Sequence, residues 1–437
     1  MKTLLLTLIA VFSSLFLYGQ ILSGPMLGNN TMFEVQIWLQ TEEDGAVYAK
    51  YWRKGLEEDT QTSESVDTKF KNARVAHLDL MYLYPGTEYE YQIFFNEEPA
   101  SEILTFETQA LWQYRTDPPE FSFTIGSCHY TNDEDYNRPG NPYGDTSLQI
   151  FQSIREKQSD FMLWLGDNIY LRAPDYDSRS GIYYRYTQYK STPELQELWK
   201  SMPHYAIWDD HDFGPNNRDR AWVHKDLNRQ AFKDFWANPS YGQNDEGIYT
   251  AFRWGDCEFF LLDNRYFRTP NDLQEEERTA LGAQQLQWLL DNLISSQASF
   301  KFVALGGQFL NPSAVYENMA TYEQDRNTII EFIQKNQIRN VIFLTGDRHR
   351  TELSQLNVEG MPVIYDLTCS PLTSGTHDER APEFNTYRIE GTKVAERNFA
   401  TLSLSGPFRN RVLYIQTFDK TGKQIWDYTI PMQGRTD

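Results

Sequence analysis

The stretch FMLWLGDNIY, residues 161–170, sets five large apolar side chains in a row ahead of a glycine and an aspartate. A run this short and this uniformly apolar reads as a strand buried on both faces of a sheet. Asp167 then emerges at the carboxyl end of that strand. In open α/β sheets this is the end where ligands bind.

Five further runs follow the same plan. FSFTIGSCHY (121–130) ends at Cys128 and His129, and YAIWDDHD (205–212) ends at Asp209 to Asp212. FFLLDNRYFR (259–268) ends at Asp263 and Arg265, and FVALGGQF (302–309) at Gln308. VIFLTGDRHR (341–350) ends at Asp347 and His349. Between the runs lie amphipathic segments such as DTSLQIFQSIREKQ, GAQQLQWLLDNLISSQ and DRNTIIEFIQKNQ, with Leu148, Phe151, Ile154 and Arg155 at helical spacing. Strands alternating with helices predict an α/β domain whose polar strand tips meet on one rim.

Upstream the texture differs. MFEVQIWLQ, AVYAKYW and YEYQIFF alternate with the period of a strand, which predicts an all-β domain over residues 20–112. The turn in YPGTEYEYQIFF precedes a tyrosine-rich strand, as in fibronectin or Ig-like sandwiches where a tyrosine ties down a corner. ALWQYRTDPPE reads as the linker, with the second domain over 117–437. The tyrosine-rich GIYYRYTQYK reads as a surface insertion near the site.

Residues 1–19 carry Lys2, an apolar core and a closing Gly19, the pattern of a signal peptide. The expected product is secreted or periplasmic, with no stable membrane insertion after the signal is removed. The formal net charge of −21 sets the average surface against duplex nucleic acid. Three cysteines in an exported chain leave at least one thiol unpaired or otherwise engaged.

Each tip alone has an ordinary reading. A Gly-Asp after a strand is commonly a turn or a cap, and a single cysteine is commonly an inert core thiol. The cluster in IWDDHDFGPNN (207–217) is the sharper case, because adjacent carboxylates resist ionising together. A cation, solvent or a local turn would offset the repulsion. Six tips of this chemistry at the same end of six strands favour the cation.

In their order, GSC, GDNIY, WDDHD with its trailing NN, LDNRYFR, GGQF, GDRH and DLTCSPLTSG resemble the PhoD-like alkaline phosphatase/phosphodiesterase family of the calcineurin-like metallophosphoesterases. The resemblance implies a metallophosphoesterase sandwich, two mixed sheets flanked by helices, behind the N-terminal β-domain. It implies metal ligands at Cys128, Asp167, Tyr170, Asp210, Asp347 and His349, with Asp167 bridging two metals. It implies His211 as the acid that protonates the leaving group, and a metal-bridging hydroxide that attacks phosphorus in line. Gln308 stands where the wider superfamily has a histidine ligand. Arg265 and Asn217 are candidates to bind the phosphate, with Arg348 behind them, and Arg265 is equally a candidate partner for Asp263.

A thiolate and a tyrosinate suit a ferric ion, and carboxylate oxygens suit calcium, so iron (Fe³⁺) and calcium are the expected cofactors. Magnesium, manganese and zinc are the alternatives. The expected substrate is a small phosphoester or phosphodiester. The rival readings are a non-catalytic surface-binding protein with a metal-stabilised α/β domain and a zinc peptidase; the chain lacks the H-E-x-x-H of the latter.

Overall fold

The computed structural model describes residues 20–137, 139–273, 278–378 and 383–434. The leader expected over residues 1–19 lies outside the described residues. Among the described residues no helix is long and apolar enough to cross a membrane.

The N-terminal region is all-β. Ile21–Asn30, Val35–Thr41 and Val75–Leu80 form one antiparallel sheet. A second is built on Gly45–Arg53 and Glu88–Phe95. The inward residues of both sheets, among them Ile37, Leu39, Ala49, Tyr91 and Ile93, share one core. Tyr89, near the start of its strand, accepts the Tyr84 N–H on its hydroxyl at 2.9 Å, so the expected tyrosine tie across the turn is present. This region does not float on a tether. Trp38 donates its indole N–H to the Asp234 carbonyl at 2.8 Å, and the Asn29 N–H reaches the Ala237 carbonyl at 2.8 Å. Gly28 permits that approach, since a Cβ there would lie 2.2 Å from Ala237 Cβ.

Two six-stranded mixed sheets follow. The first runs His204–Ile207, Phe161–Leu165, Phe121–Gly126, Asn398–Ser405, Val412–Asp419 and Gln424–Pro431, with its first three strands parallel. The second runs Thr250–Trp254, Cys257–Leu261, Lys301–Leu305, Val341–Thr345, Ile364–Thr368 and Glu352–Leu356, with its four inner strands parallel.

Side-chain alternation explains why the runs are apolar throughout. Leu163 and Leu165 face the core between the sheets, where Phe302, Ala304, Ile342 and Leu344 meet them. Met162 and Trp164 face outward against helices. On the other sheet, Val303, Leu305, Val341 and Phe343 face the helices Gly282–Ser295 and Glu323–Lys335. Both faces are dry, so both parities are apolar. Removing one such side chain, for example Phe123→Ala between stacked phenylalanines, costs about 3–5 kcal/mol.

The tyrosine-rich stretch differs from its sequence reading. It forms the helix Arg179–Lys190 with Ile182, Tyr183, Tyr186 and Tyr189 buried. The Tyr183 and Tyr186 rings pack on Phe235, so this face of the helix is core and not a surface insertion, while Tyr184 stays exposed.

Candidate metal centre and active site

The parallel strands of both sheets end on one rim, and their tips meet there. Among the described residues, three groups each bring one ligand atom per residue within 4.8 Å of one another: Cys128, Asp167 and His349; Asp167, Asp210 and His211; Asp209, Asp210 and Asp347. Asp167 belongs to the first two groups and Asp210 to the last two. The arrangement is therefore a continuous row of donors with shared carboxylates.

The backbone at these tips is unusual. Cys128, Asp167, Asp347 and His349 have φ of 58°, 50°, 64° and 52°, the left-handed region that side chains with a Cβ disfavour. Such strain collects where surrounding structure holds a residue in place for function. Glycines in the same motifs serve close approach. A Cβ at Gly306 would lie 2.4 Å from Asp209 Cγ, and one at Gly346 would lie 2.7 Å from Ser127 Oγ.

One half of the row mixes sulfur, phenol and imidazole. Cys128 Sγ lies 3.6 Å from Asp167 Oδ2, and the Tyr170 hydroxyl lies 3.2 Å from the same oxygen. His349 Nε2 is 3.3 Å from the Tyr170 hydroxyl. Its Nδ1 donates to the Gly375 carbonyl and sits 3.2 Å from both the Ser374 and Tyr143 hydroxyls. That contact fixes the tautomer and leaves the Nε2 lone pair facing the cluster, the usual way of orienting a metal-binding histidine. Burial holds the Cys128 thiol and the Tyr170 phenol well above their ordinary pKa, with Asp167 adding to both. Burial lowers His349 to about 3.

The other half is carboxylate. Asp209 takes the Arg265 Nε–H at 2.5 Å and the Asn264 amide at 2.9 Å on Oδ1. Asp210 Oδ2 accepts the Asn217 backbone N–H at 2.7 Å. Asp209 Oδ2 and Asp210 Oδ1 are buried with no hydrogen-bond partner. Burial raises Asp347 to about 8, with Asp209 the next cause, and raises Asp167 well above the usual carboxylate range, with Asp210 and Asp209 next. Burial works the same way on Asp210, but His211 and Arg265 outweigh it and hold that carboxyl low. Orphaned carboxylate oxygens beside crowded acids are what a bound cation would satisfy, so this donor set fits metal ions.

The three aspartates of the DDHD stretch divide their work. Asp212 closes a capping box with Asp209 at the start of the short helix Asp210–Phe213 and accepts the Asn168 N–H at 3.1 Å. It turns away from the row. Asp210 faces the row, and Asp209 joins it. His211 is half-buried, with its ring centroid 4.1 Å from that of Tyr170 and a ring nitrogen within the shared ligand set.

The remaining candidates sit around this row. The Arg265 side chain pairs with Asp209 and with Glu317 at 2.7 Å, and its Nη2 lies 3.9 Å from Asp210 Oδ1. From Arg265, Asp263 accepts the backbone N–H and not the guanidinium, at 2.9 Å, and it also accepts the Tyr266 and Ile248 N–H groups, and the Trp208 indole at 2.7 Å. Asn217 is exposed at the mouth with φ 63°. Arg348 pairs with Glu383 at 2.8 Å. Gln308 donates to Glu352 at 2.6 Å and to Thr368 at 2.9 Å, and accepts from Asn311, so its amide is committed to protein partners. His129 packs against Phe151 and Tyr189 behind the site. Cys257 and Cys369 are buried and free in the core. Sequence reasoning passed over Ser374, Asn264 and Glu317. The first two lay inside the quoted motifs DLTCSPLTSG and LDNRYFR, while Glu317 carries no motif.

The family model described as PhoD-like phosphatase matches residues 139–410, a segment that holds every tip except that of Cys128 and His129. Alkaline phosphatase D of Bacillus subtilis (strain 168) is 25% identical over 291 residues, covering 55% of this chain and 48% of that protein. The chain thus matches about half the length of that curated relative. A solved structure of PhoD superposes with a TM-score of 0.75 at 19% identity, over 97% of this chain and 94% of that one. A purple acid phosphatase from yellow lupin (Lupinus luteus) seeds superposes with a TM-score of 0.69 at 15% identity, over 93% and 74%. At these identities the structural likeness speaks for the fold: an N-terminal all-β region followed by two mixed sheets with helices.

Proposed function

The chain belongs to the PhoD-like phosphatase family, and from that premise we propose that it is an exported, metal-dependent hydrolase of phosphoric esters, an alkaline phosphatase/phosphodiesterase. The observation that supports this reading is the row of shared carboxylates with buried, unpartnered oxygens at the strand tips. In the proposal, residues 1–19 are a signal peptide, 20–112 a β-sandwich domain and 117–437 the phosphatase domain. Removal of the leader would deliver the protein to the periplasm or the medium.

Cys128, Asp167, Tyr170 and His349 would hold iron as Fe³⁺, because a thiolate and a tyrosinate are electron-rich anions. Asp167, Asp210 and Asp347, with Asp209 beside them, would hold calcium, which prefers oxygen. When bound, the cations supply Lewis acidity to the phosphoryl oxygens and acidify water.

The protein's own groups do the rest. Arg265 reaches the phosphate with its Nη2 edge, since Asp209 and Glu317 occupy Nε and Nη1. That anchoring positions the guanidinium before substrate arrives. Asn217 adds a neutral donor at the mouth. His211 protonates the leaving oxygen. Burial of the tips keeps bulk water away from the reacting atoms.

The test is elemental analysis of the purified protein followed by assays on a panel of phosphomonoesters and diesters. Hydrolysis that disappears on chelation and returns with metal is expected. Full activity in chelator-treated, metal-free protein would sink the reading. Iron bound by Tyr170 should also give a visible charge-transfer band that is lost in Tyr170→Phe.

A further inference from the structure

Two exposed aromatic rings flank the mouth on one loop system. Tyr316 is 58% exposed and Phe384 is 69% exposed. Single exposed rings are ordinary on protein surfaces, but Tyr316 is held by a costly arrangement. Tyr316 and Glu317 are consecutive residues with φ of 48° and 58°, a left-handed pair without a glycine. The buried Glu317 carboxylate is held by Arg265 at 2.7 Å, by Arg268 at 3.5 Å and by the Asn271 amide. Arg268 also binds the Glu317 carbonyl at 2.9 Å. With Glu317 pinned inward, the strained turn presents Tyr316 outward.

The position of the ring is specific. Its face lies 4.3 Å from the Arg348 guanidinium carbon. Arg348 is fixed from below by both Glu383 oxygens, at 2.8 and 2.9 Å. Its Nη1 lies 3.9 Å from Asp347 Oδ2. Tyr316 therefore stands one guanidinium away from the carboxylate row. Phe384 follows Glu383 directly and is tied to the same loop, its N–H and carbonyl both bonded to the Ser313 hydroxyl at 3.1 and 3.0 Å. Arg348 already has a bidentate partner, so its charge does not require the tyrosine.

We propose that Tyr316, with Phe384 beside it, is a stacking platform for a planar aromatic group on the leaving side of the phosphoester, such as a nucleobase. The proposal rests on the phosphoesterase reading and names a substrate class for that site. Stacking is tolerant of which ring is offered, because every base presents a π-face, so the platform selects aromatic esters over sugar or alkyl esters without reading a sequence.

The experiment compares adenosine 5′-monophosphate with ribose 5-phosphate. Both are esters of a primary sugar hydroxyl, and only one carries a base. Binding is read by calorimetry on the metal-loaded protein and turnover by phosphate release. The wild type is expected to bind the nucleotide about 10-fold more tightly and to hydrolyse it with a correspondingly higher kcat/KM. Tyr316→Ala should remove most of that preference and leave ribose 5-phosphate unchanged, while Tyr316→Phe should keep it. Equal binding of the two by the wild type overturns the proposal. So does an equal loss for both in Tyr316→Ala. A wild type that binds the nucleotide preferentially through Tyr316 but hydrolyses neither compound supports the platform and counts against the phosphoesterase reading instead.

Discussion

The two halves of the donor row solve one electrostatic problem in opposite ways. Around Cys128, Tyr170 and His349, burial favours the neutral form of every group, so without positive charge this half stays protonated or neutral. Around Asp209 and Asp210, a fixed cation is built in: Arg265 is buried against both and is itself anchored by Glu317. One half waits for a metal to create its charge, and the other keeps charge in place beforehand. On the proposed reading, this difference is the reason the two halves would take different ions. Polarisable donors that must lose a proton suit a strongly charged ion, and a carboxylate held low by neighbouring cations, as Asp210 is, suits a hard divalent one.

The comparison breaks most completely at Asp167, the carboxylate both halves share. Asp167→Asn should lower phosphoester hydrolysis by about 10³-fold or more, since it disturbs both sites at once. Phosphate-release assays on metal-analysed protein check this, and near-normal turnover would refute the sharing. Arg265→Met tests the built-in cation. It leaves Asp209 and Glu317 buried without their partner, so stability should fall by about 3–5 kcal/mol in denaturant titrations. A loss confined to activity would mean that Arg265 is not holding the fold of this half.

Ser374→Ala sharpens the other side. It removes a hydroxyl beside His349 Nδ1, and should weaken metal binding in the thiol half by about 10-fold. Metal content by elemental analysis should show that loss for one ion only.

Outside the comparison, a pH slope comes from a histidine belonging to neither half. His204 is buried, accepts the Trp164 indole N–H at 3.1 Å and faces the Leu198 carbonyl at 3.0 Å. Burial lowers its pKa to about 3. Below pH 6.5 the unfolded chain therefore binds a proton that the folded chain refuses. Stability is full above that pH and falls as pH drops toward 3, by about 1.4 kcal/mol per unit from this residue. Denaturant titrations of His204→Gln between pH 7 and 4.5 should show a flatter decline than the wild type. An unchanged slope would mean that another group carries the acid sensitivity.

Much of this was legible in the sequence, and the reason is local. A strand covered on both faces must be apolar at both parities, so FMLWL and VIFLT announce buried strands, and the first polar residue marks the rim. The readings that needed correction depend on neighbours far along the chain. GIYYRYTQYK resembled a surface insertion because tyrosine is compatible with solvent and core alike; only Phe235, more than 40 residues on, makes it core. Gln308 is a different case: its role was open in the sequence rather than misread, and its commitment to Glu352 and Thr368 appears only once those strands pair alongside.

What the sequence determined by itself is the set of strand tips, the residue types they carry and hence the chemistry on offer. Which tip touches which neighbour belongs to the tertiary structure. Asp209, Asp210 and Asp212 are equivalent in a written sequence, and a four-residue helix separates them. It turns Asp212 back to cap its own backbone and leaves Asp209 and Asp210 facing Arg265 and the row. The physical reason is that a side chain's direction follows local backbone geometry, while its partner is chosen by packing between segments that share no local signal.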